Sequence, residues 1–229
     1  SGITNIGIIV GYTQERIQFI IDSCGDGSKF GVKITYIQQD APRGLAHAVH
    51  TAKDFLNKDD FVVYLGDNIL SDGITDYVQQ FKKSNYNAEI LLCKVEDPTK
   101  YGVVTLGKQE EVIDVEEKPK KPKSDLAIVG VYFFKPMIFK MIEKLSPGKG
   151  GELQLTDALK SMLKSNYKIK AHIVRGWWDD TGTTEAVLRA NHLTLMNLEH
   201  DIKGTVESGV SVTGTVNIGK GTIIKKGTV

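Results

Sequence analysis

Apolar runs and helix-patterned segments alternate along the first part of the chain. Ile6–Tyr12, Val32–Gln39 and Phe61–Asp67 are predicted as strands, because their aliphatic residues follow one another without a helical period. A helix is predicted over Gly44–Leu56, where the apolar positions share one side: Leu45, Ala48, Val49, Ala52 and Phe55. Strand–helix alternation of this kind predicts a mostly parallel sheet covered by helices on both faces.

The alternation of strands and helices ends at Ala88. Strand-like segments follow one another up to Phe134 without helices between them, which predicts an antiparallel excursion from the parallel sheet. Two helical segments and a strand come next, and a long helix is predicted over Thr184–Leu198. These elements together predict an α/β fold for a domain covering residues 1–200, with three layers and a mixed, mostly parallel sheet.

The last residues follow a period of six. Apolar residues recur at that spacing, each with a small or aliphatic residue four positions later: Val206, Val210, Val212, Val216, Ile218, Thr222, Ile224 and Thr228. This period predicts the start of a left-handed hexapeptide β-helix over residues 205–229, in which three hexads form one triangular coil. Such repeats need stacked neighbours, so we expect either that this segment docks on other protein or that the natural chain continues. We also expect the molecule to be a homo-oligomer. The alternative is a polar tail with strand character.

Composition describes a soluble globular protein, with 41% hydrophobic and 25% charged residues and a net charge of +1. This charge does not suggest a nucleic-acid-binding protein, which would need an excess of basic residues. The basic run Lys118–Lys123 is more typical of a solvated loop. Cys24 and Cys93 lie far apart without a CxxC motif, so we expect no disulfide framework. The apolar runs are too short to span a membrane and the first residues lack signal-peptide features, which favours a cytoplasmic protein.

Two aspartates follow predicted strands at positions where a ligand could bind. In open α/β sheets, ligands bind beyond the carboxyl ends of the strands, and Asp67 follows the strand that begins at Phe61. Asp180 follows another strand and precedes a Thr-Gly-Thr helix start. A pair of such carboxylates could bind Mg²⁺, whose remaining ligands are typically water and substrate phosphate. For each aspartate alone, a turn or helix-cap role is the commoner alternative.

Two loops offer polar groups that suit a nucleotide or a sugar. Gln38 and Gln39 end a strand, and a glutamine amide can both donate and accept hydrogen bonds at a base edge. Gly44 would let the backbone approach a flat ligand. At another strand end, Glu117 could hold sugar hydroxyls and Lys118 a phosphate. A hydrophilic surface loop is the alternative for each.

Other familiar site motifs are absent from the sequence. There is no GxxxxGK[ST], GxGxxG or GxSxG motif and no plausible cysteine nucleophile. The glycine-rich segment Gly25–Gly31 joins a helix to a strand, which is the wrong order for a phosphate-binding loop. His47 and His50 have helical spacing, but no third ligand for a transition metal accompanies them.

Taken in order, six segments of the sequence resemble the sugar-1-phosphate nucleotidyltransferase family, and they are most similar to its long glucose-1-phosphate thymidylyltransferases. The segments are YIQQDAPRGLAHAV, YLGDN, DPTKYGVV, VEEKPKKPKSDLAIVGVYFF, GGELQLTDAL and GWWDDTGT. The resemblance implies a Rossmann-like nucleotide-diphospho-sugar transferase fold. It also implies a cytoplasmic enzyme with Mg²⁺ as cofactor, which makes dTDP-glucose and pyrophosphate from dTTP and glucose-1-phosphate.

The resemblance also implies roles for individual residues. The implied metal ligands are Asp67 and Asp180, and these two together with Lys118 form the implied catalytic set. The implied nucleotide-binding residues are Gln39, Gly44, Leu45 and Asp67. The implied sugar-phosphate-binding residues are Tyr101, Gly102, Glu117, Lys118, Ile128, Val129 and Gly130.

One departure from the family concerns the triphosphate. The family begins with a strand and a GxGTRLxPxT loop that wraps the triphosphate, whereas this sequence matches only from the second strand onward. We therefore expect a polypeptide that starts at Ser1 to be inactive or nearly so. Two alternatives stay open: a UDP-sugar pyrophosphorylase that uses UTP, and a non-catalytic regulatory or binding subunit with the same fold. The missing loop favours the second alternative, whereas the retained aspartates favour an enzyme.

Overall fold

The computed structural model of the chain describes residues 1–11, 13–108, 110–148 and 150–229, apart from the side chains of residues 14–16. The described residues form two compact units, Ser1–Trp178 and Asp179–Val229. The domain bounds expected from the sequence, residues 1–200 and 205–229, stay a prediction. No helix in the described part of the chain is long and apolar enough to cross a membrane.

Helices occur in both units. In chain order they are α1 (Gln14–Cys24), α2 (Leu45–Thr51), α3 (Lys53–Leu56), α4 (Thr75–Lys83), α5 (Ile138–Ile142), α6 (Leu155–Lys164) and α7 (Thr184–Met196). Short 3₁₀ turns lie at Ser28–Phe30 and Pro98–Lys100. The helix predicted over Gly44–Leu56 is divided into α2 and α3 at Ala52, whose φ and ψ of −84° and 2° lie outside the helical range.

The strands of the first unit are β1 (Asn5–Val10), β2 (Lys33–Gln38), β3 (Phe61–Tyr64), β4 (Asn68–Leu70), β5 (Ala88–Lys94), β6 (Gly102–Leu106), β7 (Val112–Glu117), β8 (Leu126–Phe134) and β9 (Ile169–Ile173), and β10 (Trp178–Asp180) crosses the unit boundary. Those of the second unit are β11 (Asp201–Ile202), β12 (Thr205–Val206), β13 (Asn217–Ile218) and β14 (Ile223–Ile224). The strand predicted over Phe61–Asp67 ends at Tyr64. The Gly-Asp-Asn sequence favours a turn, which the Asn68 backbone N–H closes by donating to the Leu65 carbonyl at 3.1 Å.

The central sheet is mixed, as the sequence pattern predicts. Its strand order is β7-β6-β8-β5-β9, and β3 also pairs with β8. Strand β8 runs antiparallel to β3, β5 and β6, whereas β5 and β9 are parallel. Since β7 is antiparallel to β6, the strands β3, β5, β6 and β9 share one direction and only β7 and β8 oppose it. Strands β1 and β2 form a separate parallel pair.

Strand β8 lies between two helix layers of the first unit, and both of its faces are buried. Ile128, Tyr132 and Phe134 pack into one core cluster with residues of α2, α5 and α6. The alternate residues Val129, Val131 and Phe133 pack into a second cluster with residues of α4. Successive side chains of a strand point to opposite faces, so the uninterrupted apolar run from Leu126 to Phe134 is what a strand between two helix layers requires.

The second unit contains α7 and the residues with a six-residue period. Strand β12 pairs in parallel with β14, so that Thr205 faces Ile223 and Val206 faces Ile224. The offset is the difference in residue number between 223 and 205, which is three hexads and corresponds to one coil. Val206, Ile218 and Ile224 are half-buried, whereas Val212 is exposed. The parallel pairing agrees with a coil, and the left-handed β-helix stays a prediction.

Candidate active site

A cavity of about 170 Å³ opens on the α6 face of the central sheet, and we call it the central cleft. Two strands meet one edge of β8 beside it: β3 pairs along Val131–Phe134, and β6 pairs at Ala127. The cleft lies where these two strands diverge. Its walls come from strand ends and helix starts: Leu45, Leu65, Lys100, Tyr101, Gly102, Glu117, Tyr132, Gln154, Leu155 and Thr156.

Glu117 provides the carboxylate of the central cleft. It ends β7 directly opposite Gly102, and its Oε2 accepts a hydrogen bond from Thr156 Oγ1 at 3.0 Å. A Cβ on Gly102 would lie 2.8 Å from the Thr156 methyl group and 3.4 Å from Glu117 Oε2, so only glycine leaves this wall open. The arrangement leaves a fixed carboxylate facing a cavity, which suits the binding of ligand hydroxyls.

Tyr132 lies in the cleft wall on the same face of β8 as Ile128. Burial, and to a smaller extent the charge of Glu117, raise the pKa of the Tyr132 phenol far above its ordinary range. The phenol is therefore a neutral hydroxyl under physiological conditions. A neutral hydroxyl can donate one hydrogen bond and accept others, so Tyr132 adds a further polar group for a hydroxylated ligand.

Lys118 and Tyr101 are joined through their backbones. The Lys118 N–H donates to the Tyr101 carbonyl at 3.0 Å, and Lys118 has a φ of +40°, which is uncommon for a residue with a side chain. Such backbone geometry is frequent at functional sites. The Lys118 side chain is exposed and does not line the cleft, whereas Lys100 does.

Asp67 lies in the turn between β3 and β4, with its side chain exposed. Its Oδ1 accepts a hydrogen bond from Nδ2 of the buried Asn68 at 2.7 Å. A carboxylate that is oriented by an amide and open to solvent has the oxygen donors that Mg²⁺ prefers. No group of three or more His, Cys, Asp or Glu side chains suited to a metal occurs in the described ranges, but Mg²⁺ usually takes only one or two carboxylates from protein.

Asp180 belongs to the second unit, so the predicted aspartate pair is divided between the two units. The residues on either side of it are anchored to α7. Buried Asp179 forms a bidentate ion pair with Arg189, whose guanidinium nitrogens Nε and Nη2 each lie 2.5 Å from a carboxylate oxygen. Thr183 Oγ1 caps α7 by accepting from the Ala186 N–H at 3.2 Å. The chain around Asp180 is therefore held by this helix.

The residues predicted for the nucleotide follow β2 and begin α2. Gln39 Nε2 lies 2.8 Å from His47 Nδ1, so the amide of Gln39 is oriented by the first turns of α2. Gly44 has a φ of +96°, and a Cβ there would lie 2.6 Å from the Leu153 carbonyl oxygen. Glycine is required at this position by both its conformation and the close approach of the chain. Leu45 lines the central cleft, which places the start of α2 beside the cavity.

The residues predicted as a sugar-pocket wall have different surroundings. Ile128 packs in the core cluster beneath the cleft and Val129 in the cluster on the opposite face of the sheet. Gly130 lies against Asn68 and Leu65, where a Cβ would come within 2.7 Å of both side chains. These three residues are not among those that line the central cleft, so their role as a sugar-pocket wall stays a prediction.

Sequence reasoning missed several residues that the structure places in the cleft. Tyr132 could have been found from the two-residue period of β8, since it shares a face with Ile128. Gln154, Leu155 and Thr156 lie at the start of α6, within the segment GGELQLTDAL, but nothing in the sequence alone places them beside Glu117.

Comparison with known proteins gives consistent results. The sequence model of the nucleotidyl transferase family matches residues 1–197. A low-salt glycan biosynthesis nucleotidyltransferase of Haloferax volcanii is 45% identical over 219 residues, which are 95% of this chain and 60% of that protein. A glucose-1-phosphate thymidylyltransferase of Streptomyces antibioticus is 44% identical over 222 residues, covering 96% of this chain and 62% of the relative.

A solved structure agrees with the sequence comparisons. A Bacillus anthracis protein assigned as a glucose-1-phosphate thymidylyltransferase, crystallised with sucrose, superposes with a TM-score of 0.77 at 38% identity, covering 86% of this chain and 78% of that one. The fold class expected from the sequence is thereby confirmed, as is the resemblance carried by its motifs. The chain spans about 60% of the length of the curated relatives described above.

Proposed function

Because the chain belongs to the nucleotidyl transferase family, we propose that the protein transfers a nucleotidyl group from a nucleoside triphosphate to a hexose-1-phosphate. We propose dTTP and glucose-1-phosphate as the preferred substrates, with dTDP-glucose and pyrophosphate as the products. The relative from Streptomyces antibioticus carries the name of this activity, which supports the choice. Transfer from UTP is the alternative, since uracil and thymine differ by a single methyl group.

The observation that carries this proposal is the polar end of the central cleft. Glu117, held by Thr156 at 3.0 Å, and the neutral hydroxyl of Tyr132 offer an acceptor and a donor in a cavity of about 170 Å³. Leu65 lines the same cavity and lies two residues before Asp67. A carbohydrate-sized site close to a carboxylate in a turn is what transfer between a sugar phosphate and a metal-bound nucleotide requires.

The reaction needs no general base, because the attacking phosphate is ionised at neutral pH. An oxygen of the sugar phosphate attacks the α-phosphorus in line, and a new phosphorus–oxygen bond forms there. The bond from the α-phosphorus to the bridging oxygen breaks, and pyrophosphate leaves with that electron pair. The protein therefore contributes mainly by positioning the two substrates and by offsetting their negative charge.

We propose the following division of labour among the residues. Glu117 and Tyr132 orient the sugar hydroxyls, and Tyr101 and Gly102 form the floor beside them. Lys118, and Lys100 at the cleft wall, offset the charge of the phosphates. Gln39 contacts the base, with Gly44 and Leu45 alongside. Asp67 is the carboxylate proposed to bind Mg²⁺, which when bound would neutralise phosphate charge; Asp180 as a further ligand stays a prediction.

Adjacent glutamates provide a direct test of the sugar site. Glu117→Gln removes the charge that faces the cleft, and the KM for the sugar phosphate is expected to rise about tenfold or more, because a hydrogen bond to a charged group is lost. Glu116→Gln is the matched control, since Glu116 is exposed and pairs across from Val103. Steady-state kinetics of pyrophosphate release would measure both variants. Equal KM values for the two variants would contradict the assignment of the sugar site to this cleft.

A further inference from the structure

Asn68 lies at the junction of three hydrogen bonds within the first unit. Its Oδ1 accepts from Nε1 of Trp178 at 2.7 Å and from the backbone N–H of Gly130 at 3.1 Å. Its Nδ2 donates to Asp67 Oδ1 at 2.7 Å. Asn68 is 8% exposed, so these partners take the place of water. The junction connects β4 to β8, to the indole of Trp178 and to the proposed metal-binding carboxylate.

The partners leave a single orientation for the Asn68 amide. The indole Nε1 and a backbone nitrogen can only donate hydrogen bonds, so the amide oxygen must face both of them. The amide nitrogen then has to face Asp67, whose carboxylate can accept its hydrogen. An amide that donates to a carboxylate forms a charge-assisted hydrogen bond, which is stronger than a neutral one. One of the contacts that orient Asp67 therefore depends on donors that Asp67 itself does not touch.

Close packing prevents Asn68 from rearranging. A Cβ on Gly130 would lie 2.7 Å from Asn68 Nδ2 and from the Leu65 side chain, so the Asn68 amide occupies the space that the missing side chain leaves. Side chains in such close contact have few alternative rotamers. Loss of the Trp178 N–H would leave the Gly130 N–H as the remaining donor to Oδ1, so the amide and its hydrogen bond to Asp67 would be held less firmly.

Trp178 also reaches the central cleft. Its ring meets the ring of Tyr101 edge to face, with centroids 5.7 Å apart and an interplanar angle of 69°. Tyr101 lines the cleft, so one indole contacts the proposed sugar site through its ring and the proposed metal ligand through its N–H. Trp177 offers a natural contrast, because its buried Nε1 has no hydrogen-bond partner among the described residues.

We propose that Trp178 is a positioning residue for the metal-binding carboxylate. Its N–H fixes the amide of Asn68, and that amide holds Asp67 Oδ1 so that the carboxylate faces the divalent cation. This inference rests on the proposed function, since it takes Asp67 as a ligand of Mg²⁺. It assigns to Trp178 an effect on cation affinity that is separate from any effect on sugar binding.

The test compares Trp178→Phe with Trp177→Phe in the whole encoded protein. Trp178→Phe keeps an aromatic ring beside Tyr101 and removes the N–H, so the Mg²⁺ concentration for half-maximal rate is expected to rise about threefold to tenfold, the range for one lost hydrogen bond. The KM for glucose-1-phosphate is expected to stay within about twofold of wild type. Trp177→Phe removes an indole N–H without a described partner and is expected to leave both quantities unchanged.

A binding measurement separates this inference from the proposed function. Mn²⁺ would be titrated into each protein with a non-hydrolysable dTTP analogue, and the free ion would be followed by electron paramagnetic resonance. Weaker Mn²⁺ binding by Trp178→Phe alone supports the inference even if no substrate pair releases pyrophosphate. Equal binding by wild type and both variants, or binding by none of them beyond that of the nucleotide, would overturn it.

A second substitution guards against a folding defect. Incorporation of 3-benzothienylalanine at position 178 replaces the indole nitrogen with sulfur and keeps the shape of the ring system. The same loss of Mn²⁺ affinity is expected, with an unchanged melting temperature. If this protein binds Mn²⁺ as wild type does, the indole N–H has no positioning role and the inference is wrong.

Discussion

At the scale of single residues, burial sets the ionisation of the Tyr132 phenol in the central cleft. Tyr132 lies in the wall of the cleft and Glu117 near it, so the phenol resists ionisation both because water is excluded and because a negative charge is close. The phenol therefore stays a neutral hydroxyl beside the carboxyl group of Glu117. This is the combination that distinguishes a hydroxylated ligand from an apolar one.

The raised pKa of Tyr132 has a consequence for stability at alkaline pH. The folded protein keeps this proton above pH 10, the ordinary phenol pKa, whereas the unfolded chain releases it. The unfolded state then binds fewer protons, so Tyr132 makes the free energy of unfolding fall as pH rises above about 10, by up to about 1.4 kcal/mol per pH unit. Tyr132→Phe is expected to remove this part of the fall.

Urea denaturation of the two proteins between pH 8 and about pH 11 would measure the effect, because contributions from lysines and other tyrosines cancel in the difference. Below pH 10 both states hold the proton, so the difference between the two proteins should be constant there. An equally steep fall for Tyr132→Phe would show that the phenol is not protected from ionisation in the folded state.

Prediction from sequence works unevenly at the scale of residues. Asp67, Glu117 and Gly44 can be singled out because acidic or glycine residues at strand ends and turns have a local meaning. The link from Trp178 through Asn68 to Asp67 cannot be predicted in this way. It joins residues about one hundred positions apart, and it depends on which atom of each side chain faces the other.

At the scale of elements, α7 organises the chain around Asp180. Asp179 is 5% exposed, and its charge is matched by the two nitrogens of Arg189, which lies on the second turn of the helix. Removing the positive partner of a buried carboxylate destabilises the folded protein, because the negative charge stays buried. Removing one partner of an exposed ion pair has little effect on stability. The ion pair between Asp179 and Arg189 is therefore expected to stabilise the connection between β10 and α7.

Arg189→Met tests this expectation. The free energy of unfolding of the second unit is expected to fall by about 1 to 2 kcal/mol, because Asp179 stays buried without the guanidinium, although Arg189 itself is 59% exposed. Lys203→Met is the control, since Lys203 and Asp201 form a much more exposed pair and its loss should cost less than about 1 kcal/mol. Hydrogen exchange of the α7 amides would report the difference. Similar protection of the α7 amides from exchange in the two variants would contradict a stabilising role for the ion pair between Asp179 and Arg189.

Elements with a strong period could be predicted, and those that depend on pairing could not. The long apolar run of β8 and the stripes of α2 and α6 are visible in the sequence, because each is set by burial against a known period. The end of β3 at Tyr64 was not predicted, because the apolar run continues to Leu65, one residue beyond the last paired position. The offset of 18 residues between β12 and β14 follows from the hexad period, whereas the two-residue length of these strands does not.

At the scale of the whole molecule, the described residues form two compact units. The family match covers residues 1–197 and so extends across the unit boundary. The curated relatives are longer than this chain, which covers about 60% of each. Activity is therefore to be measured on the whole encoded protein, for which we expect a single reaction with two substrates and Mg²⁺.

The proposed nucleotidyl transfer is tested most directly by measuring pyrophosphate release with a panel of substrates. Purified whole protein would be given dTTP or UTP, each with glucose-1-phosphate or N-acetylglucosamine-1-phosphate, with and without Mg²⁺. We expect the fastest release with dTTP and glucose-1-phosphate, dependence on both substrates, and no release without the metal. Pyrophosphate release from none of the four pairs, or release that does not require a sugar phosphate, would contradict the proposed transfer.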